Sequence, residues 1–181
     1  MIRLGSNSIT RANILKEHNI DFVQDGGNFD EDSITTKDPK EFVKLATKGK
    51  FDELYTKFTC DDMPLLVSDT VVTSNGELLR KPKDKKDARR MLKLQSNNEV
   101  SIITCMIFKS LDTYIFDIST TIYHFEEFDK EELEDYINSG ECFGKAGAIM
   151  VEGFCKSYIK SVDGYESTAM GLCIEKLIPY L

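Results

Sequence analysis

The chain alternates short apolar runs with stretches of helical periodicity from one end to the other. Residues 2–4 are typical of a short buried strand, residues 5–8 of a polar turn, and the apolar spacing from Ala12 onward of a helix. The alternation continues through all 181 residues without an internal repeat. It predicts an α/β fold, a mixed twisted sheet with flanking helices. We expect a single domain over residues 1–181, with two lobes around a cleft.

Cap residues and glycines define the predicted helices. The cap Asp38, with proline after it and Glu41 at the third position, predicts a helix to about Lys50. From Phe51 onward apolar residues again repeat at helical spacing, which predicts a separate helix. Further helices are predicted after the caps Asp84 and Asp129, the second ending at Gly140, and over Ala169–Leu177.

Apolar runs between turn signals define the predicted strands. The run Pro64–Val67 is typical of a central strand that ends at Ser68-Asp69-Thr70. Asn75-Gly76 predicts a hairpin turn that returns the chain toward Lys81. Further strands are predicted at Ile20–Val23, Val100–Phe108, Thr113–Phe125 and Tyr158–Val162.

The charge balance limits the partners of the chain. A net charge of -8 and a pI near 4.9 argue against a partner that is a nucleic acid polymer, because binding a phosphate backbone needs a dense positive surface. A small anionic substrate in a local basic pocket is compatible with this balance. No apolar run approaches the roughly 20 residues of a membrane span, and residues 1–4 lead directly into a strand signal. We therefore expect a cytoplasmic protein with no membrane partner.

The cysteines are odd in number and widely scattered, and none forms a C-x-x-C pair. This spacing favours neither a disulfide framework nor a zinc site, so we expect reduced, mostly buried thiols. The five cysteines are Cys60, Cys105, Cys142, Cys155 and Cys173.

Polar side chains at the first strand-to-helix junction are candidates for phosphate binding. Ser6 and Ser8 stand where unpaired N–H groups and the helix dipole can receive a phosphate, and Arg11 would add a charged contact. The alternative is that Ser8 only caps the helix and Arg11 is a solvated surface charge.

Acidic and basic side chains elsewhere are candidates for hydrolytic chemistry. Asp69, with Thr70 after it, follows a predicted buried strand, where a carboxylate can hold Mg²⁺ or orient water. Asp30 and Glu31 offer further carboxylates, and Lys81 lies in a short run of cations. Each has an ordinary alternative when taken alone, as a turn or cap residue or as part of a solvated face.

Taken together, these residues resemble the Maf family of nucleoside triphosphate pyrophosphatases, in the family's order and over nearly the whole chain. Each matching segment is short, but the ordered set is hard to obtain by chance. The segments are Leu4–Arg11, Phe29–Glu31, Ser68–Thr70, Asn75–Glu77, Lys81-Pro82, Ser139–Glu141, Lys145–Ala148 and Gly171-Leu172.

The resemblance implies a fold of the inosine triphosphatase type, often as a homodimer, and conversion of a nucleoside triphosphate to the monophosphate and pyrophosphate. It implies a divalent metal cation, Mg²⁺ or Mn²⁺, and we expect dTTP, UTP or modified nucleotides as substrates. In the implied site, Asp69 is the central carboxylate and Asp30 or Glu31 the second acid, and these acids are also the metal ligands. Lys81 and Lys145 are charge stabilisers. The implied substrate contacts are Ser6, Ser8, Arg11, Thr70, Lys48, Lys50 and Glu152.

Several positions depart from the family pattern and motivate a second hypothesis. Gly49 aligns with a family lysine, so that Lys48 or Lys50 would substitute for it. At other positions the chain also differs from the residue that is usual in the family. It has Thr10 and Glu126 where arginines are usual, Gly144 where an acid is usual, Glu152 where a glutamine is usual and Glu166 where a tyrosine is usual. Residues 97–100 stand where Gly, Thr and His commonly occur. The second hypothesis is a catalytically weakened nucleotide-binding regulator linked to cell division. The retained Asp69, Lys81 and Lys145 favour the enzyme.

Overall fold

A computed structural model describes residues 1–58 and 63–181 and confirms the predicted α/β class. Within these residues, seven strands form one mixed sheet: β1 (Ile2–Leu4), β2 (Phe22–Gln24), β3 (Leu65–Ser74), β4 (Glu77–Leu79), β5 (Glu99–Lys109), β6 (Tyr114–Phe125) and β7 (Ile159–Asp163). The strand order is β2-β1-β3-β5-β6-β7, with β4 paired to β3. Strand β1 is parallel to β2 and β3, while β4 and β7 are antiparallel to their neighbours β3 and β6.

Side-chain caps begin the longer helices. The caps are Ser8, Asp38, Asp84 and Asp129, and each accepts a hydrogen bond from a backbone N–H of the first turn. The helices are α1 (Ile9–Glu17), α2 (Pro39–Lys57), α3 (Lys85–Gln95), α4 (Lys130–Ser139), α5 (Glu166–Ala169) and α6 (Ile174–Leu177). Short 3-10 turns lie at Glu31–Ser33, Ala146–Ala148, Phe154–Tyr158 and Ile178–Tyr180.

The chain divides into two compact units, in agreement with the predicted two lobes. The first unit contains Met1–Thr70, Thr104–Ser119 and Tyr165–Leu181, and the second contains Val71–Ile103 and Thr120–Gly164. Strands β3, β5 and β6 have residues in both units. The predicted cleft and the behaviour of the chain as one domain stay predictions.

In the first unit, the alternation of side chains along β3 divides the core between two faces of the sheet. Leu66 packs with Leu4 and with Leu15 of α1. Leu65 and Val67 pack on the other side, in a cluster that includes residues of α2. Because successive side chains of a strand point to opposite faces, α1 and α2 cover opposite sides of the same strand.

Helix α2 runs without a break through Gly49, so the predicted boundary between two helices near Lys50 is wrong. One glycine costs a helix interior about 1 kcal/mol, and buried residues on both sides of it, such as Phe42 and Leu54, keep the helix packed. A Cβ at Gly49 would lie 2.2 Å from the ring of Phe29. The glycine therefore reflects the close approach of Phe29 and does not mark the end of a helix.

Strand β3 continues through Asp69 to Ser74, so the prediction that it ends at residues 68–70 is also wrong. The hairpin explains the extension, because β4 pairs with the last residues of β3, Val72 to Ser74. The predicted turn itself is confirmed, with φ of 50° at Asn75 and 77° at Gly76. Asp69 thus projects from inside the strand.

The predicted closing helix over Ala169–Leu177 is wrong as well. Gly171 has φ of 103°, a conformation that no helix accommodates and that glycine adopts readily. The helix is therefore interrupted between α5 and α6. The carbonyl of Gly171 is outside the helical hydrogen bonding and accepts hydrogen bonds from side chains of the first unit.

Four of the cysteines behave as predicted. Cys105, Cys142, Cys155 and Cys173 are buried free thiols, whereas Cys60 lies outside the described residues. Burial raises the pKa of Cys105 to about 11 and that of Cys155 to about 12. Both thiols therefore stay protonated near neutral pH.

The described helices of the chain are too short or too polar for a bilayer. Of those in the described part of the chain, none is both long enough and apolar enough to cross a bilayer.

Two glycines of the second unit provide a matched test of the packing. Gly76 has φ of 77° and open space around it, whereas Gly164 has φ of 114° and a Cβ there would lie 2.7 Å from the carbonyl oxygen of Thr120. We expect Gly76→Ala to lower the free energy of unfolding by about 1–2 kcal/mol, the cost of this backbone conformation. Gly164→Ala should cost roughly 1–3 kcal/mol more, because it also overpacks against backbone. Urea denaturation measures both, and equal losses would contradict the described contact.

Candidate active site

The ammonium group of Lys50 holds two carboxylates from distant parts of the first unit. Its Nζ lies 2.6 Å from Oε1 of Glu31 and 2.5 Å from Oδ1 of Asp69. The three side chains are only 20%, 24% and 10% exposed, respectively. One positive charge therefore faces two negative charges in a partly dehydrated place. Two carboxylates therefore share one ammonium, and their oxygens are of the kind that a further cation would bind.

The alternation along β3 explains why Asp69 meets Lys50. Asp69 follows Leu65 and Val67 on the face of the sheet that is packed against α2, and α2 carries Lys50. Ser68 and Thr70 follow Leu66 onto the opposite face. The run Ser68-Asp69-Thr70 thus supplies two different groups of contacts.

On the opposite face, the guanidinium of Arg11 connects three segments of the first unit. Its Nε donates to the carbonyl of Gly171 at 2.7 Å, Nη1 to Oγ of Ser6 at 3.0 Å, and Nη2 to Oγ1 of Thr70 at 3.2 Å. Burial lowers the pKa of Arg11 from its ordinary value, while the charges of Asp69 and Glu31 act in the opposite direction. The alternative that Arg11 is a solvated surface charge is therefore wrong.

A chain of hydroxyl groups extends this network into the sheet. Oγ1 of Thr104 donates to the carbonyl of Thr168 at 2.7 Å and lies 2.9 Å from Oγ1 of Thr70. Since Thr104 has only one hydroxyl proton, Thr70 is the donor of that pair. Sequence reasoning missed Thr104. The available signal was a buried polar residue inside an otherwise apolar strand.

The two serines of the first loop support the start of α1. Oγ of Ser8 accepts a hydrogen bond from the backbone N–H of Arg11 at 3.3 Å, and the N–H of Ser8 donates to Oγ of Ser6 at 3.2 Å. The side chain of Gln24 donates to the carbonyl of Ser6 at 2.8 Å. Ser8 is thus a helix cap, as one alternative predicted. Phosphate binding by Ser6, Ser8 and Arg11 stays a prediction.

The structure distinguishes the neighbouring residues that the sequence left as alternatives. Asp30 is exposed, and its carboxylate accepts a hydrogen bond from the N–H of Asp32 at 2.9 Å. Lys48 is exposed on α2. Of the two pairs, Glu31 and Lys50 are the members that lie beside Asp69.

The remaining predicted residues belong to the second unit. Lys81 and Glu152 are exposed, and Lys145 is partly buried at the start of a 3-10 turn. Their convergence with Asp69 and the roles assigned to them stay predictions.

The carboxylates of Glu31 and Asp69 are the oxygen ligands that this cluster offers to a cation. Both converge on one ammonium nitrogen, so a cation near that point would meet both. Among residues 1–58 and 63–181, no group of three or more His, Cys, Asp or Glu side chains is arranged to hold a metal ion.

Lys50 and Lys48 form a matched pair for testing the cluster. Lys50→Met leaves Glu31 and Asp69 close together without the cation between them, and we expect it to lower the free energy of unfolding by about 1–3 kcal/mol. Lys48→Met removes an exposed charge from the same helix and should change stability by less than about 0.5 kcal/mol. Urea denaturation at pH 7 compares the two, and equal effects would contradict the ion pairs.

Comparison with known proteins confirms the resemblance inferred from the short motifs. The sequence model of the family described as Maf-like protein matches residues 1–181. The chain is 48% identical over 179 residues to a nucleoside triphosphate pyrophosphatase of Nitratiruptor sp., covering 98% of this chain and 96% of the relative. It is 40% identical over 175 residues to a nucleoside triphosphate pyrophosphatase of Helicobacter pylori, covering 97% and 92%. A protein of the same name in Campylobacter jejuni subsp. doylei is 36% identical over 183 residues, covering 100% of both chains.

Proposed function

The chain belongs to the Maf-like protein family, and from that premise we propose that it hydrolyses a nucleoside triphosphate at the bond between the α- and β-phosphates. The products are the nucleoside monophosphate and pyrophosphate. Relatives that carry the name nucleoside triphosphate pyrophosphatase match the chain over nearly its full length, which supports this activity. The observation that carries the proposal is the contact of Glu31 and Asp69 with the single ammonium of Lys50.

The reaction needs a nucleophile and compensation of negative charge. Water attacks a phosphorus atom of the α,β-bridge, the bond to the bridging oxygen breaks, and a carboxylate accepts the proton of the water. We assign that carboxylate to Asp69, which lies deepest in the cluster, and we assign Glu31 as the second acid. Lys50 offsets the charge that develops on the phosphoryl oxygens.

A divalent cation, Mg²⁺ or Mn²⁺, fits the donors of this cluster. Mg²⁺ is commonly bound by one or two carboxylates together with substrate phosphates and water, and Glu31 and Asp69 converge on one point. These two residues would hold the ion. When bound, it would supply Lewis-acid neutralisation of the phosphate charge.

The Arg11 network supports the phosphate-binding side of the proposal. Three of the five N–H donors of Arg11 bind groups of the protein, including the hydroxyls of Ser6 and Thr70. We assign to Arg11 the task of holding these hydroxyls in place for phosphate oxygens. The positive charge of Arg11 also attracts a polyphosphate.

The finer features of the function rest on the family resemblance. We propose dTTP, UTP or a modified nucleotide as the substrate, a homodimer as the assembly and the cytoplasm as the location. On the same basis, Lys81 and Lys145 act as charge stabilisers, and Lys48 and Glu152 as further substrate contacts.

The second candidate is a nucleotide-binding regulator linked to cell division with weakened catalysis. Departures from the family pattern such as Thr10 and Gly144 favour it. The assembled contacts of Lys50 with Glu31 and Asp69 favour the enzyme, because a protein that only binds nucleotide does not need a base for water.

Pyrophosphate release over a panel of canonical and modified nucleoside triphosphates, with Mg²⁺ or Mn²⁺, tests the proposed reaction. We expect release with at least one substrate, and Asp69→Asn should lower kcat by more than about 100-fold because the amide cannot accept the proton. The fold should be retained, as judged by circular dichroism. Tight binding of a non-hydrolysable triphosphate without release from any substrate would favour the regulator.

The adjacent acids Asp30 and Glu31 allow a test of the second carboxylate. Glu31→Gln removes a charge beside Lys50 and should lower kcat by about 10- to 100-fold. Asp30→Asn keeps an oxygen that can still cap the 3-10 turn, and kcat should change by less than about threefold. Steady-state kinetics of the two variants on the preferred substrate measures both values of kcat. A larger loss in Asp30→Asn would reverse the assignment of the two acids.

A further inference from the structure

In the second unit, the segment Lys145–Ala148 forms a strained turn. Gly147 and Ala148 have φ of 64° and 60°, and this conformation is unfavourable for Ala148 because it carries a Cβ. A Cβ on Gly147 would lie 2.8 Å from Cγ1 of Val72. Strain of this kind persists only where the surrounding structure holds it.

Two side chains from different helices hold the carbonyl groups of this turn. The amide of Gln95, the last residue of α3, donates to the carbonyl of Gly147 at 2.7 Å. The hydroxyl of Tyr136, in α4, donates to the carbonyl of Ala148 at 3.0 Å. Two consecutive peptide planes are thereby fixed in orientation.

A backbone hydrogen bond joins the same turn to the segment after β4. The N–H of Gly147 donates to the carbonyl of Arg80 at 3.1 Å. Arg80 directly precedes Lys81, so the backbones that carry Lys81 and Lys145 are held together. Both lysines are charge stabilisers in the proposed reaction.

The burial of Gln95 is difficult to explain by stability alone. Gln95 is 0% exposed, and its Nε2 also donates to the carbonyl of Met91 at 3.0 Å. Its Oε1 has no hydrogen-bond partner in the described part of the chain. The amide cannot be turned round, because its oxygen would then face two carbonyl oxygens. An unpaired buried oxygen destabilises a fold, so a role in positioning accounts better for this residue.

The hydroxyl of Tyr136 remains protonated and can therefore donate its hydrogen bond to Ala148. Its side chain is buried, and burial raises the pKa of Tyr136 far above its ordinary value. The hydroxyl therefore keeps its proton at every pH at which the protein would work. The hydrogen bond to Ala148 is consequently independent of pH.

We propose that Gln95 and Tyr136 are positioning residues for Lys145, because they fix the strained turn and with it the direction of the Lys145 side chain. Within the described ranges the Lys145 ammonium has no hydrogen-bond or ion-pair partner, so the backbone of the turn is what sets where the side chain starts and its initial direction. This role rests on the proposed pyrophosphatase activity, in which Lys145 neutralises phosphate charge.

A double-mutant cycle on kcat tests the positioning role. Gln95→Leu should lower kcat about tenfold, as expected when a catalytic group is misplaced, and Tyr136→Phe should act in the same direction. In a Lys145→Ala background, neither substitution should lower kcat further, because the group they position is gone. Gln95→Leu also leaves the carbonyl of Gly147 without its donor, so thermal midpoints are measured and kcat is compared at a temperature at which every variant is folded.

Ser74→Ala is the matched control for this cycle. Ser74 is also a buried polar residue of the second unit, and its hydroxyl donates to the carbonyls of Glu99 at 2.9 Å and Leu94 at 3.5 Å, neither of which belongs to the turn. Its substitution should leave kcat unchanged. If Gln95→Leu lowers kcat by the same factor with and without Lys145, or leaves it unchanged, the positioning role is wrong while the activity stands. No pyrophosphate release from the unmodified protein would instead overturn the proposed function, and the positioning role with it.

Discussion

The geometry of one buried strand determines the arrangement of the candidate site. Strand β3 is covered on both faces. Because its successive side chains point to opposite faces, Asp69 lies on the side of α2, while Ser68 and Thr70 lie on the side of α1. A shift of one residue in the register of β3 would exchange these faces and remove Asp69 from Lys50. The close packing of Leu65, Leu66 and Val67 on the two faces opposes such a shift. The packing of the core therefore also determines the position of the Asp69 carboxylate.

The charges at this strand are costly to keep and are arranged for a charged ligand. Glu31, Lys50 and Asp69 are partly removed from water, and Arg11 is held in a setting that lowers its pKa by burial. An apolar set of residues would pack here with less desolvation. The paired carboxylates of Glu31 and Asp69 suit a divalent cation, and the positive charge of Arg11 suits phosphate oxygens. A metal–triphosphate complex carries both kinds of charge.

The sequence predicted local features well because these depend on local chemistry. The caps Asp38, Asp84 and Asp129 and the Asn75-Gly76 turn satisfy backbone groups within a few residues, and all are confirmed. The break at Gly171 was missed, because the periodicity of the surrounding residues resembles that of a helix. Its backbone conformation becomes visible only in the folded chain.

Features that depend on contacts between distant segments were not predictable from one sequence. Lys48 and Lys50 are neighbours in the chain, but two residues along a helix differ by about 200° in direction. Only the packing of α2 on β3 decides which ammonium meets Asp69. Thr104 and Gln95 were missed for the same reason, since each acts through a carbonyl or hydroxyl that is far away in the sequence.

A crystal structure with Mn²⁺ and a triphosphate whose α,β-bridging oxygen is replaced by methylene would test the central assignment directly. The account predicts anomalous scattering from Mn²⁺ in contact with the carboxylates of Glu31 and Asp69, with the α-phosphate beside the ion and Lys50 turned toward a phosphate oxygen. Nucleotide and Mn²⁺ bound elsewhere, with both carboxylates still paired to Lys50, would contradict it.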